Sequence, residues 1–151
     1  MLLADIVAKK HVLFIPKAEG WEDAVRQSCK TLVDTGIVEP GYAEDIIGCI
    51  KANGPYIVLM PGIALPHFAE NSPHAKGTAI AFMKVEEPVS FDPGNPEKSA
   101  VVFFTLASVD TERHLKNMRQ LFKMLTNEEL VADLQTVKSE EDLLALDKKY
   151  S

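Results

Sequence analysis

The sequence predicts an α/β fold in which helices cover both faces of one sheet. The first reason is the order of the predicted elements, which is a strand, two helices, several strands and then three helices. The second is the run at residues 100–107, which is apolar almost throughout, as in strands that are covered on both faces. The third is that the predicted helices are amphipathic, so each should pack one side against the sheet or against another helix.

The first part of the chain predicts two strands that enclose two helices. An apolar, β-prone run at 12–15 is closed by Pro16. Apolar residues at helical spacing then predict helices over 21–34 and 42–52. A second β-rich run follows at 56–60.

The second part predicts two longer strands and three helices. The strands are expected at 78–85 and 100–107, with a loop rich in proline between them. Asp110 is a suitable N-cap for the helix that follows. That helix carries an apolar stripe formed by Leu115, Met118, Leu121, Phe122 and Leu125. Shorter helices are predicted over 127–135 and 139–148.

Size and charge exclude several classes of protein. A chain of 151 residues can bury a core within one domain. The formal net charge of −6 argues against nucleic acid as a partner, because phosphate backbones favour lysine and arginine. No apolar run is long enough to cross a bilayer, and the N-terminus lacks the regions of a secretion signal. We therefore expect a single-domain cytoplasmic protein without membrane insertion.

The most informative segment is residues 60–67, Met-Pro-Gly-Ile-Ala-Leu-Pro-His, which ends on a histidine. Proline restricts φ, and glycine permits conformations and close approaches that are closed to other residues. His67 is therefore expected at a defined position where an extended segment stops. Imidazole changes charge near neutral pH, which makes His67 a candidate nucleophile. A structural histidine with satisfied hydrogen bonds is the alternative.

A second histidine, His114, falls in the first turns of the helix that follows the strongest strand. The start of such a helix lies at the carboxyl edge of the sheet, where free N–H groups and the helix dipole suit an anion. Ser108, Thr111 and Arg113 surround this end and are candidate phosphate-binding residues. With His67, these residues would suit phosphoryl transfer through a phosphohistidine, which their spacing alone does not establish. The alternative for His114 is a partly exposed helix residue without such a role.

The remaining histidines form no pattern that indicates a metal site or another cofactor. His11 and His74 are expected to be surface residues. A zinc site formed by His67, His74 and His114 lacks a helical His-x-x-x-His pair and an acidic ligand at fixed spacing, so we expect no metal.

The two cysteines, Cys29 and Cys49, have no Cys-x-x-Cys spacing. They are expected to be buried, reduced thiols.

The histidine segment carries a family resemblance. Residues 61–67, Pro-Gly-Ile-Ala-Leu-Pro-His, resemble the active-site signature of the mannitol/fructose-type enzyme IIA domains of the bacterial phosphoenolpyruvate-dependent sugar phosphotransferase system (PTS). Further similar segments occur in the family's order at 87–91, 95–96, 101–107 and 109–110, before His114. The sequences of residues 54–56 and 60–67 are most similar to the ascorbate-type branch of this family.

The resemblance implies a fold, a reaction and a set of partners. Residues 1–151 would form a single PTS enzyme IIA type-2 domain, a three-layer α/β/α sandwich with a mixed sheet. His67 would accept a phosphoryl group from the phosphocarrier protein HPr. It would then pass the group to a cysteine of a cognate enzyme IIB, which supplies the membrane enzyme IIC during uptake of a carbohydrate, with L-ascorbate as the candidate. His114 would stabilise the phosphohistidine or its transition state.

The chain also departs from the family pattern. Family members often carry a small residue and then an arginine after the active histidine, where this chain has Phe68 and Ala69. Mannitol-type members have an arginine upstream of the signature, where this chain reads 56–60 without one. Arg113 and Lys76 are candidates to replace the missing cation. Phe68 is a candidate docking residue, because aromatic side chains are enriched at interfaces.

Two other functions are compatible with these residues. The first is a regulatory enzyme IIA-like module, in which phosphorylation of the same histidine controls a regulator and does not feed transport. The second is a metal-dependent hydrolase, which would contain zinc and lose activity to chelators. Onward flow of phosphate to a carbohydrate separates the transport function from the regulatory one.

Overall fold

The computed structural model describes residues 2–68 and 72–151, and from β1 onward its elements largely follow the predicted order. The helices are α1 (Leu2–Ala8), α2 (Trp21–Ser28), α3 (Lys30–Asp34), α4 (Gly41–Asn53), α5 (Thr111–Leu125), α6 (Glu128–Leu134) and α7 (Glu140–Lys149). The strands are β1 (Val12–Ile15), β2 (Val58–Met60), β3 (Gly62–Ala64), β4 (Ala79–Ser90) and β5 (Ser99–Ala107), with a short 3-10 helix at Pro96–Lys98.

The strands form one mixed sheet in the order β1-β4-β5-β3-β2. β1 lies parallel to β4, and β3 lies parallel to β5. The pairs β4–β5 and β2–β3 are antiparallel. β5 lies at the centre of the sheet with a partner on each side, which accounts for its almost wholly apolar sequence.

Helices cover both faces of the sheet, which confirms the predicted three-layer α/β/α sandwich. On one face, the core beneath α2, α3 and α4 includes Leu32, Ile46 and Phe103. On the other face, α1, α5, α6 and α7 enclose a second core that includes Phe104 and Leu121. Phe103 and Phe104 are neighbours in β5, and each is fully buried in a different core because successive strand residues point to opposite faces.

The largest difference from the sequence prediction is α1, which was not predicted. A seven-residue helix has little stability of its own, so its sequence pattern is weak. Leu2, Leu3 and Ile6 are buried in the second core, where α1 packs beside α7. Tertiary packing therefore stabilises this helix.

Other boundaries also shift. The predicted helix over 21–34 is divided at Cys29 into α2 and α3. β2 begins only at Val58. β4 continues past the predicted end at residue 85, because pairing with β5 resumes at Val89 after an irregularity that holds the exposed residues 86–88.

Within residues 2–68 and 72–151, none of the helices has the combined length and apolar character that a membrane span requires.

Candidate functional site

The segment that leads to His67 is fixed to the sheet on both sides. Gly62 has φ +91°, a conformation that favours glycine, and a Cβ there would also displace the end of the Gln135 side chain, whose Oε1 would lie 2.6 Å away. The N–H of Leu106 donates to the carbonyl oxygen of Pro66 at 2.9 Å, which continues the parallel pairing of β3 and β5. His67 thus lies where the extended segment stops, as the sequence predicts, and this point is at the carboxyl edge of the two parallel strands.

The ring of His67 is held by one hydrogen bond to the backbone. Its Nδ1 lies 2.5 Å from the carbonyl oxygen of Leu65. A carbonyl oxygen can only accept, so Nδ1 carries the hydrogen, and in the neutral ring the lone pair is on Nε2. The residue is half-buried, and Nε2 has no hydrogen-bond partner among the described residues. A neutral imidazole in this state can act as a nucleophile through Nε2.

Two tyrosines contact the peptide group that joins His67 to Phe68. The Tyr56 hydroxyl donates to the carbonyl oxygen of His67 at 2.5 Å, and the two rings meet edge-on with centroids 5.2 Å apart. The N–H of Phe68 donates to the Tyr42 hydroxyl at 3.4 Å, and that hydroxyl donates to the carbonyl oxygen of Leu106 at 2.5 Å. Burial raises the pKa of both tyrosines, so both hydroxyls keep their protons at neutral pH.

Sequence reasoning did not find these tyrosines as site residues. Tyr56 belongs to the Gly54-Pro55-Tyr56 segment, which was used only to distinguish branches of the family. Tyr42 lies in α4, where an aromatic residue at helical spacing indicates a core position. No local pattern connects either residue to His67.

The structure brings His114 close to His67. His114 lies in the first turns of α5, and its Nδ1 is buried without a hydrogen-bond partner among the described residues. Its pKa is lowered, first by burial and then by the nearby His67 ring. The neutral form of His114 is therefore favoured near neutral pH.

The N-terminus of α5 is capped by its own carboxylate, as the sequence predicts. Asp110 accepts from the N–H groups of Glu112 at 3.0 Å and Arg113 at 3.2 Å. The turn before it is fixed by Thr78, whose Oγ1 accepts from the N–H groups of Val109 and Asp110. A negative group therefore already occupies the positive end of this helix, which reduces its attraction for a second anion.

The predicted phosphate-binding residues Ser108, Thr111 and Arg113 make no hydrogen bond to His67 or His114 among the described residues. Ser108 is half-buried, and its hydroxyl donates to the carbonyl oxygen of Asp110 at 3.4 Å. Thr111 is exposed at the first position of α5. Arg113 lines a groove together with Asp5 of α1 and Lys9, which follows that helix, on the side of α5 away from Leu115.

The structure also describes two of the three other residues that concern the missing arginine, Phe68 and Lys76. Phe68 is half-buried and packs against the core beneath α4. Ala69 lies outside the described residues. Nζ of Lys76 lies 3.6 Å from Oε1 of Glu39, so this cation already has a partner.

The prediction that His11 is a surface residue is wrong. His11 is 3% exposed at the junction of α1 and β1. Its Nε2 donates to Oγ1 of Thr35 at 2.8 Å, since that hydroxyl donates its own hydrogen to the carbonyl oxygen of Thr31. His74 is only partly solvated, because its Nδ1 lies 2.8 Å from Oδ2 of Asp45.

The cysteines match their prediction in part. Cys29 is buried, whereas Cys49 is half-buried, and both are free thiols. Burial raises the pKa of the Cys29 thiol to about 12. Histidine, cysteine, aspartate and glutamate form no cluster of three or more suited to a metal ion in the part of the chain that the structure describes.

Comparison with known proteins agrees with the fold. Residues 5–149 match the family model described as "Phosphoenolpyruvate-dependent sugar phosphotransferase system, EIIA 2". The chain is 30% identical over 148 residues to the ascorbate-specific PTS system EIIA component of Shigella boydii serotype 4 (strain Sb227), with 97% of this chain and 95% of the relative covered.

Two solved structures from Escherichia coli extend the comparison. The solution structure of the mannitol-specific cryptic phosphotransferase enzyme IIA has a TM-score of 0.84 and 30% identity, with 99% of each chain covered. Enzyme IIA of mannitol, solved in complex with phosphorylated enzyme IIB, has a TM-score of 0.77 and 25% identity, with 93% of this chain and 95% of that chain covered. This chain therefore belongs to the EIIA type-2 family of the phosphoenolpyruvate-dependent sugar phosphotransferase system.

Proposed function

We propose that residues 1–151 form a single EIIA type-2 domain that carries a phosphoryl group on Nε2 of His67. The observation that carries this proposal is the 2.5 Å contact between Nδ1 of His67 and the carbonyl oxygen of Leu65. That contact places the hydrogen of the neutral ring on Nδ1 and the lone pair on Nε2, which is the state that an imidazole nucleophile requires.

The proposed reaction is a transfer between two imidazoles, followed by a transfer to sulfur. The lone pair on Nε2 of His67 attacks the phosphorus of phospho-HPr, and a new N–P bond forms. The N–P bond of the donor breaks, and its electron pair returns to the donor imidazole. In the second step a cysteine thiolate of enzyme IIB attacks the same phosphorus, and the electron pair of the broken bond returns to Nε2. Positioning and charge stabilisation contribute most to such transfers.

His114 is proposed to stabilise the transferring group. Its Nδ1 is buried, which leaves Nε2 as the ring nitrogen that a phosphoryl oxygen could reach. An Nε2–H donor supports an oxyanion without adding a full positive charge beside His67. Ser108, Thr111 and Arg113 are secondary candidates for contacts to the phosphoryl oxygens, and the capping role of Asp110 makes the helix N-terminus a weaker anion site than His114.

The proposed partners dock beside the two histidines. The solved complex of a related enzyme IIA with phosphorylated enzyme IIB supports a cognate enzyme IIB as the acceptor. HPr is proposed as the donor, and a membrane enzyme IIC as the component that enzyme IIB supplies. Val109 and Leu115, which flank His114 in the sequence, and Phe122, about two turns further along α5, are exposed apolar residues that suit transient protein contacts. The cytoplasm is the proposed location, and L-ascorbate is the proposed carbohydrate.

The test is phosphorylation by purified components. The protein is incubated with phosphoenolpyruvate, enzyme I and HPr, and an acid-labile phosphoryl adduct is measured. We expect one adduct on the wild-type protein and none on His67→Ala. Normal labelling of the folded His67→Ala protein would contradict the proposal. Addition of the cognate enzyme IIB and enzyme IIC then tests transport, and a phosphorylated carbohydrate is the expected product.

A further inference from the structure

We propose that Tyr56 and Tyr42 are positioning residues for phosphoryl transfer, because together they hold the peptide group between His67 and Phe68. This inference rests on the proposed function of His67. The two tyrosines contact the two polar atoms of one peptide group, the carbonyl oxygen of His67 and the N–H of Phe68.

The planarity of the peptide bond makes this arrangement specific. Because the peptide atoms lie in one plane, holding its oxygen and its N–H fixes the orientation of the whole group. Because the bond from Leu106 to the carbonyl oxygen of Pro66 holds the chain before His67, this orientation restrains the ψ angle of His67 and the direction in which its side chain leaves the backbone. The hydrogen bond from Nδ1 to Leu65 holds the ring on the other side of the same residue.

Tyr42 connects this peptide to the strand that leads to His114. Its hydroxyl accepts from Phe68 and donates to the carbonyl oxygen of Leu106 in β5. β5 ends one residue later, and the following turn starts the helix that carries His114. Tyr42 is 3% exposed in α4, so the anchor itself is held in the core. It therefore relates the position of His67 to that of His114.

Tyr56 acts on both the backbone and the ring of His67. Its hydroxyl holds the carbonyl oxygen, and its ring meets the imidazole at an interplanar angle of 86°. Such edge-on contact limits rotation of the imidazole. Loss of the hydroxyl alone would leave the ring contact in place but free the peptide to rotate. Nδ1 of His67 would then keep its bond to Leu65 for a smaller fraction of the time.

The hydrogen bonds of Tyr42 and Tyr56 to this peptide group, which together form a clamp, act on the rate of transfer more than on the affinity for a partner. Both tyrosines contact the peptide group after His67, and neither is exposed, since Tyr42 is buried and Tyr56 is half-buried. A small displacement of a reacting atom lowers the rate of a positioned reaction strongly. The expected signature is a lower transfer rate at saturating donor with an unchanged half-saturating donor concentration.

The test uses Tyr56→Phe and Tyr42→Phe, which each remove one hydroxyl, with Tyr150→Phe as the matched control. The chain has three tyrosines, and the hydroxyl of Tyr150 bonds Oδ2 of Asp133 between α6 and α7. Nitrogen-15 NMR of the unphosphorylated proteins measures the tautomer of His67. Single-turnover labelling from phospho-HPr measures the rate over a range of donor concentrations.

We expect Tyr56→Phe to lower the saturating rate about tenfold and to increase the Nε2–H tautomer of His67, as loss of one hydrogen bond predicts. Tyr42→Phe should lower the rate about threefold, since its bond to Phe68 is longer. Tyr150→Phe should match wild type in both measurements. If Tyr56→Phe does not fold, Tyr42→Phe decides the question by the same two readouts.

Wild-type tautomer populations and rates in both folded site variants would overturn the inference. A variant that reaches the wild-type rate but needs more donor would also overturn it, because that result indicates a docking role. The proposed function fails in a different way, by labelling of His67→Ala. The tautomer measurement requires no donor, so it tests the clamp even where no labelling occurs.

Discussion

His67 and His11 each have one ring nitrogen in a hydrogen bond, yet their surroundings differ. His67 donates from Nδ1 to a backbone carbonyl and stands half-buried at the edge of the sheet. His11 donates from Nε2 to Thr35 and is 3% exposed, with its Nδ1 buried and without a partner among the described residues. The hydrogen-bond state is similar, but only His67 has a nitrogen lone pair that another protein could reach.

The comparison shows that access distinguishes a candidate nucleophile from a structural histidine. At His11, the unpaired nitrogen costs folding free energy and does no chemistry, because burial separates it from any partner. At His67, the chain leaves the sheet at the carboxyl edge of two parallel strands, where ligands of α/β folds commonly bind. Substitutions at these two positions should therefore affect different properties.

The largest expected effect is the contrast between His67→Ala and His11→Ala in phosphorylation and in stability. His67→Ala should remove all phosphorylation and cost less than about 1 kcal/mol of unfolding free energy, because its ring is half-exposed. His11→Ala should keep phosphorylation and cost about 1–3 kcal/mol, because it removes a buried hydrogen bond and leaves a cavity. Labelling and urea unfolding of both variants measure this difference. Equal stability costs would break the comparison.

The second effect concerns the neighbour of His67. His114→Ala should slow phosphoryl transfer about tenfold to hundredfold, because a donor to the phosphoryl oxygens is lost. His114→Gln should recover part of that rate, since its amide N–H can replace the Nε2–H. Rapid-quench labelling of folded proteins measures both rates. Identical rates in wild type and His114→Ala would remove His114 from the proposed site.

The third effect is the dependence of stability on pH. Burial, followed by the charge of Lys9, lowers the pKa of His11 below its ordinary value of 6.5. The unfolded chain therefore binds more protons than the folded one as the pH falls below 6.5. The stability contributed by neutral His11 is complete above that pH and is lost as the pH falls through the folded-state pKa.

His11→Gln should accordingly show a shallower loss of unfolding free energy between pH 7 and pH 5, a difference of less than about 1.4 kcal/mol per pH unit. Part of the slope should remain, because burial also lowers the pKa of His114. Denaturant unfolding at several pH values measures the slope. Parallel curves for wild type and variant would show that His11 is not held neutral.

The smallest effect is expected at Phe68. The side chain is half-buried against the core, so Phe68→Ala removes both packing and a partly exposed apolar surface. We expect the KM for phospho-HPr to rise about twofold to fivefold, with little change in the maximal rate. Unchanged transfer kinetics would show that Phe68 does not contact the donor.

The sequence predicted the parts of the site that depend on local pattern. The apolar run that became β5, the cap at Asp110 and the restricted approach through Gly62 all appear in the structure. Each depends on residues close in sequence, where turn chemistry and hydrophobic patterning act directly. The parallel pairing of β3 with β5 then brings His67 and His114 together at one edge.

Long-range contacts could not be predicted in the same way. Tyr42 and Tyr56 reach the peptide after His67 only because α4 and β2 pack beside it, and no spacing along the chain encodes that contact. His11 follows Lys9 and Lys10 and therefore resembles a surface residue in the sequence. It is buried because α1 packs on the sheet, and α1 itself was not predicted.

The most direct test of the central claim is the location of the phosphoryl group on the labelled wild-type protein. Phosphorus-31 and nitrogen-15 NMR of the phosphorylated protein identify both the residue and the ring nitrogen. The hydrogen bond from Nδ1 to Leu65 predicts phosphorylation at Nε2 of His67. A phosphoryl group on Nδ1 of His67, or on any other residue, would contradict the account.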